Sequence, residues 1–438
     1  MGTPREDALD IFDHALRTSR VELAMERRVH FHGAVMEVDG NRFALKEYQR
    51  CVVIALGKAA GTMTAALLRL AGREAERFEG VVVSPVEEAV PSRRFRCVRG
   101  GHPTPDAGSM MAAKEVLEAL VALSEHDLVI FLVSGGGSAL VERFLDGETT
   151  LETMAATHKV LVESGAPITA INAVRKHLSA VKGGRLAAAA APAEQLTIFV
   201  SDVPAGELDA LSSGPTVPDR STVQDVYRIV AEYHLAERLP AEVTEMLRRG
   251  RVPETPKPGE TIFARSRWSV LLDSTSLERA AAECAAGLGW SIQVDDTCDD
   301  WSAKKAADYL VGRARELKKE RGPVCLISTG EVTVEVPSGA RGRGGRNQHF
   351  ALLCADQIRG ESMTVLSGGS DGIDGNSPAA GAVVDGSTAS RAAATGYPIS
   401  KALAAFDSCS LLSMLGDAII TGPTGNNLRD LRILLAKR

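Results

Sequence analysis

Lys58, Arg175, Lys176, Arg343 and Arg346 are cations at or near predicted loop ends, and Asp202, Glu331, Asp371 and Asp374 are carboxylates in similar places. Two glycine loops accompany them. Ser134-Gly135-Gly136-Gly137-Ser138 follows the apolar run 127–133, and Ser367-Gly368-Gly369-Ser370-Asp371-Gly372 follows Met363-Thr364-Val365-Leu366. A strand, a glycine turn and a helix start aim backbone N–H groups together at an anion. Anion cradles, cations and acidic residues able to hold Mg²⁺ are the parts of phosphoryl transfer, which needs positioning and charge neutralisation more than a nucleophile. Paired oxygens such as those of Asp371 and Asp374 suit a hard cation that keeps several waters.

Each piece also has a plainer reading. Either glycine loop alone fits a simple strand-to-helix turn, and Asp202, before Val203-Pro204, fits a turn former. Asp374-Gly375 is a turn signal, and Arg175 and Lys176 suit a solvated helix face. Lys58, inside Gly57-Lys58-Ala59 after a strand, favours a ligand. So do Arg343 and Arg346, which lie among Gly339, Gly342, Gly344 and Gly345 with no apolar anchor.

Alternating elements must position these residues. Cys51–Leu56 reads as a buried strand, with a helix from the Gly57–Gly61 turn through Leu70. A strand at Gly80–Ser84, the irregular Gly100–Asp106 segment and a helix over 107–123 follow. Thr149 and Glu152 form a capping box for a helix over 150–163. Asn172–Leu178 is helical, and the strand Leu196–Val200 delivers Ser201-Asp202 to its carboxyl end. Such alternation builds a mostly parallel, doubly wound sheet whose ligands lie beyond the carboxyl ends of the strands. Lys58, Ser134–Ser138 and Asp202 fall at such ends.

At 438 residues the chain exceeds what one core usually organises. Residues 249–260, with three prolines and two glycines, read as a linker between domains 1–248 and 261–438. Leu9, Phe12 and Leu16 predict a helix over 6–18 packing onto the first domain. The second half alternates again, through strands near Trp268–Leu272, Ser291–Val294 and Val324–Ser328. The expected fold is α/β: two α/β/α domains with mostly parallel doubly wound sheets and an interdomain cleft.

A formal charge of −6 supplies no basic field and argues against nucleic acid. Seven dispersed cysteines without a C-x-x-C pair argue for reduced thiols and against zinc. With no apolar leader and no run of 18 apolar residues, the expectation is a soluble cytoplasmic protein without membrane partners. The chain lacks G-x-x-x-x-G-K-[ST], the protein-kinase set, G-x-G-x-x-G and H-E-x-x-H.

Taken together, these stretches resemble the type II glycerate kinases, whose C-terminal part is the MOFRL domain (about 322–432 here). The resemblance rests on Gly57-Lys58-Ala59-Ala60-Gly61, Gly101-His102-Pro103, Val133–Ser138, Ile171–Ser179, Lys182-Gly183-Gly184-Arg185, Ser201–Pro204 and Ser213–Thr216. It continues through Gly342–Gln348, Ser370–Gly375 and Thr421–Gly425. It implies ATP- and Mg²⁺-dependent phosphorylation of D-glycerate, usually to 2-phosphoglycerate. Lys58 and Arg343 or Arg346 would be the principal cations, with Asp202 taking the hydroxyl proton. Ser134 to Ser138, Arg175, Arg346 and Ser370 would seat substrate and phosphate. Lys182, Gly183, Glu331, Asn347, Thr424 and Asn426 would bind nucleotide, and Asp202, Asp371 and Asp374 would hold the metal. Partners would be small molecules, D-glycerate and ATP, with a homodimer left open. His349 stands where the family often has glutamate, Val332 and Ser370 where threonine is common, and 273–276 departs from a usual asparagine-bearing segment. A hydroxypyruvate reductase using NAD(P)H and a non-catalytic anion-binding protein are the rival expectations.

Overall fold

The computed structural model describes residues 2–86, 92–147, 149–204 and 206–437. They form two compact units, Val21–Leu271, and Met1–Arg20 together with Leu272–Arg438.

In the unit Val21–Leu271, β1 (Val29–His32), β2 (Val35–Val38) and β3 (Asn41–Ala44) make a small antiparallel sheet. The main sheet holds β4 (Cys51–Leu56), β5 (Phe78–Ser84), β6 (Phe95–Arg99), β7 (Leu128–Ser134), β8 (Glu194–Val200) and β9 (Ser266–Leu272), in the order β6-β5-β4-β7-β8-β9. Pairing from β6 through β8 is parallel. Every residue of β4 and β7 is buried, as their unbroken apolar runs require in a sheet covered on both faces. Register then does the positioning. Leu56 pairs with Val133 and Ser134 with Val200, so the turns after β4, β7 and β8 emerge side by side. Ser84 opposite Arg99 brings the turn carrying His102 to the same sheet end.

Two local expectations change here. The helix Leu151–Val162 is capped by Thr150, because the Thr149 hydroxyl is taken by Asp146 at 2.6 Å. Residues 249–260 are not a free linker. Val252 and Thr255 are buried, Thr255 Oγ1 donates to Asp219 at 2.9 Å, and Glu254 meets His177 Nε2 at 2.9 Å. Prolines stiffen a packed strap as readily as they interrupt a loop.

In the other unit, the helix Pro4–Thr18 starts from a Thr3/Glu6 capping box and packs on the helix Ser274–Gly287. Phe12 covers Gly368, and Trp290 Nε1 donates to Asp7 at 3.0 Å. The amphipathic helix was expected against the first domain, but its apolar face is spent in this unit. The sheet holds β10 (Ser291–Val294), β11 (Val324–Thr329), β12 (Met363–Gly369), β13 (Gly381–Asp385), β14 (Ala418–Ile419) and β15 (Asp430–Ala436), ordered β10-β11-β15-β12-β13-β14. Only β10 and β11 pair in parallel; the other pairs are antiparallel. The expectation of a mostly parallel sheet therefore does not extend to this unit. The 370–380 connection between β12 and β13 contains no crossover helix, so β13 folds straight back. Among the described residues no helix is long and apolar enough to cross a membrane.

Candidate active site

The first cluster lies at the carboxyl ends of β4, β7 and β8. Gly57 takes φ 120°, and a Cβ there would sit 2.3 Å from Ser134 Oγ. That approach lets Ser134 Oγ accept the Ala59 N–H at 3.0 Å, while Lys58 N–H donates to Gly135 O at 2.9 Å. The two turns are thereby stitched together. Lys58 is exposed, and its side chain makes no hydrogen bond or ion pair among the described residues. The Asp202 carboxylate covers Gly135 so closely that a Cβ would fall 1.8 Å from Oδ2. Gly136 adopts φ 88° with His102 and Lys58 against it, and Ser138 Oγ meets Ser213 Oγ at 2.9 Å.

A cavity of about 690 Å³ opens beside this turn, lined by His102, Gly136, Ser138, His158 and Arg175 among others. Arg175 is the telling residue. Its guanidinium makes no hydrogen bond or ion pair among the described residues, and Nε is buried without a partner. Burial pulls its pKa down and the field of Glu142 opposes that shift, so a cation without an ion-pair partner among the described residues faces the cavity. Burial and Lys58 both lower the pKa of His102, which presents a neutral imidazole. His158 is pushed down to about 3 by burial, then by Lys182 and Arg175.

Several expected ligands turn out to hold the scaffold. Ser134 is buried and clamps the turns. Lys182 is buried and paired with Glu142, so it offers nothing to a nucleotide. Gly183 sits at φ 56° against Thr255. Lys176 is no solvated lysine: it bridges Asp209 at 3.1 Å and Asp219 at 3.2 Å. His102 and His158 line the cavity and Glu142 lies 3.6 Å from His158, though none of the three was among the candidate residues of the sequence. The signal for Glu142 was a carboxylate directly after the apolar stretch Ala139-Leu140-Val141 and two residues before Phe144-Leu145.

The second cluster belongs to the other unit. A cavity of about 620 Å³ is lined by Val332, Val334, Gly344, His349, Asp371 and Phe406 among others. His349 and Phe406 stack with centroids 5.6 Å apart and planes 11° from parallel, and burial keeps the imidazole neutral by lowering its pKa. Arg343 is exposed; its backbone N–H donates to Asp407 at 3.0 Å, and its guanidinium makes no hydrogen bond or ion pair among the described residues. Arg346 is different. It binds Asp430 at 2.6 Å and Glu331 at 2.8 Å, so its charge is spent, and Glu331 is equally committed.

Asp374 is withdrawn as a metal ligand. Its carboxylate accepts the backbone N–H of Asn347 at 3.0 Å and of Gln348 at 2.9 Å, capping the helix Arg346–Gln357. That helix start is filled by the protein's own anion. Asn347 is likewise engaged, accepting from Ser367 Oγ at 2.6 Å. Ser370 Oγ accepts Leu428 N–H at 2.6 Å, and Thr424 Oγ1 donates to Ser370 O at 2.6 Å and to Asn426 O at 3.1 Å. Asn426 donates to Ser19 O at 2.6 Å. These four residues build turns and caps.

No group of three His, Cys, Asp or Glu side chains able to hold a metal occurs among the described residues. Mg²⁺ arriving with a nucleotide keeps several waters and needs only one or two carboxylates. Asp371, at the cavity wall, and Asp202, over Gly135, fit that demand.

Parallel strand ends beside a cavity that an unpaired cation faces are where an α/β fold places its ligand sites. Residues 7–248 match the model described as a domain of unknown function, DUF4147, and residues 324–430 match the MOFRL family. The chain is 37% identical over 390 residues to the D-glycerate 2-kinase of Thermotoga maritima, covering 88% of this chain and 90% of that one. It is 38% identical over 392 residues to an Agrobacterium vitis protein carrying a provisional hydroxypyruvate reductase name, covering 88% and 87%. A solved glycerate kinase structure from Thermotoga maritima superposes with a TM-score of 0.84 at 33% identity, covering 99% of each chain. The chain belongs to the type II glycerate kinase family, and the protein is a kinase.

Proposed function

We propose that the enzyme transfers the γ-phosphoryl group of ATP, carried with Mg²⁺, to the 2-hydroxyl of D-glycerate, giving 2-phosphoglycerate and ADP. One observation carries this reading: the Arg175 guanidinium, unpartnered, faces a cavity beside the exposed Lys58. A small carboxylate supplies the charge that Arg175 lacks, and Lys58 steadies the acceptor oxygen or the transferring phosphate. His102, neutral, adds a hydrogen bond without competing for the anion. Asp202 takes the hydroxyl proton, a modest demand when the transition state is loose. Arg343 neutralises phosphate charge, and the stacked His349 and Phe406 with Val332 and Val334 offer the nucleobase an apolar wall. Mg²⁺ arriving with the nucleotide would supply charge neutralisation at the phosphates, and Asp371 or Asp202 would be the carboxylate to hold it.

The test is Mg·ATP with D-glycerate, the product being passed to enolase. Direct conversion identifies 2-phosphoglycerate; a requirement for added mutase identifies 3-phosphoglycerate and overturns the 2-hydroxyl assignment. The Agrobacterium vitis name favours a reductase as the second reading, and the missing G-x-G-x-x-G speaks against it. NADH or NADPH oxidation by hydroxypyruvate decides between them.

A further inference from the structure

Behind the cavity of the unit Val21–Leu271 lies a charge cluster that touches no solvent. Glu142 is 0% exposed and Lys182 1%. Glu142 Oε1 accepts the Ser179 hydroxyl at 2.7 Å and the Arg143 N–H at 3.0 Å. Its Oε2 accepts Lys182 Nζ, with His158 Nε2 at 3.6 Å. Arg175 lies in the field of this carboxylate without being ion-paired to it. A buried carboxylate must find a cation. Lys182 has taken the position, and Arg175 is left over.

We infer that Lys182 is a positioning residue for the acceptor: by neutralising Glu142 it keeps Arg175 free for the carboxylate of a small hydroxy acid. The acceptor's identity, though not the charge arrangement, rests on the kinase reading above. Without the Lys182 ammonium, Glu142 is a buried charge answered either by protonation of His158, 3.6 Å away, or by an inward turn of Arg175, which lines the same cavity as His158. An inward turn of Arg175 removes the cation from the cavity. Protonation of His158 leaves it in place but alters the field the ligand meets.

Shape and charge can be separated by two variants of the full chain. Lys182→Met keeps the stem and deletes the charge. Lys182→Met/Glu142→Gln deletes both charges and keeps the volumes. Binding of D-glycerate is read by calorimetry, and KM and kcat by turnover with Mg·ATP. The single variant is expected to raise the Kd and KM for D-glycerate roughly tenfold or more, with kcat and the KM for ATP within about threefold of the starting enzyme. The double variant is expected to return the D-glycerate Kd to within about threefold, because a neutral amide no longer claims Arg175. A single variant with unchanged Kd overturns the inference, as does a double variant that binds as weakly as the single. Should Lys182→Met fail to fold, the double variant decides alone: recovered binding supports the inference and lost binding overturns it. A starting enzyme that binds D-glycerate without phosphorylating it overturns the kinase reading and leaves this inference standing.

Discussion

Ser134-Gly135-Gly136-Gly137 and Ser367-Gly368-Gly369-Ser370 read alike in sequence, each closing an apolar strand in its own unit. In the first, Gly136 takes φ 88°, the chain leaves the sheet, and the turn forms a wall of a cavity faced by Arg175. In the second, Ser367-Gly368-Gly369 is still β12, buried throughout and paired with β15. Gly368 lacks a side chain because the Phe12 ring occupies that space, 2.7 Å from where a Cβ would stand. Glycine lines a cavity in one case and makes room for a phenylalanine in the other. The difference lies in what approaches the backbone, which is a property of neighbours distant in sequence.

The largest expected effects fall on the cations left without protein partners. Lys58→Ala and Arg343→Ala should each lower kcat by about 10²- to 10⁴-fold while thermal unfolding stays unchanged. Near-normal turnover in both would remove them from the chemistry. The loop comparison is broken or sharpened by paired alanines. Gly135→Ala drives a methyl into Asp202 and should cost about 100-fold or more in kcat. Gly368→Ala should leave kcat within about threefold but destabilise the fold by about 1–3 kcal/mol in denaturant unfolding, with relief in a Phe12→Leu background. The opposite pattern would reverse the assignment of the two loops. A smaller effect follows for Ser370→Ala, which loses the Leu428 hydrogen bond: about 1 kcal/mol of stability, and a KM for D-glycerate changed by less than about twofold.

The smallest effect is a pH dependence in the unit that holds β12. Burial raises the Glu278 pKa from 4.5 to about 7, with Asp296 reinforcing the shift against the Thr329 hydrogen bond. A carboxyl raised in the folded state favours folding fully below its unfolded pKa, and that advantage fades as pH climbs from 4.5 through about 7. Glu278→Gln should therefore flatten the fall in melting temperature between acid and neutral pH. An unchanged pH profile in the variant would assign the fall to other groups.

Much of this was legible before folding was considered. The strands β4, β7, β8, β11 and β12 were visible as apolar runs, and the helix expected over 107–123 is found at Ala107–Val121. Lys58 and Arg343 stood out because glycine-rich turns have little structural use for a cation. The misassignments share a cause. Lys182, Arg346, Asp374 and Ser370 sit in equally suggestive turns, yet each is engaged by a partner far along the chain. The strap at 249–260 and the helix Pro4–Thr18 were misplaced for the same reason, since composition reports flexibility and amphipathicity but not the surface that receives them.

Period, glycine spacing and turn chemistry are local properties, so the residue string alone was enough for the α/β class, the strand ends and the family resemblance. Charge pairing is not local. Arg346 meets Asp430 across 84 positions, and Lys182 meets Glu142 across 40. Tertiary packing alone brings such partners together, and it decides which cations are consumed by the fold and which, like Arg175 and Lys58, keep no ion-pair partner among the described residues.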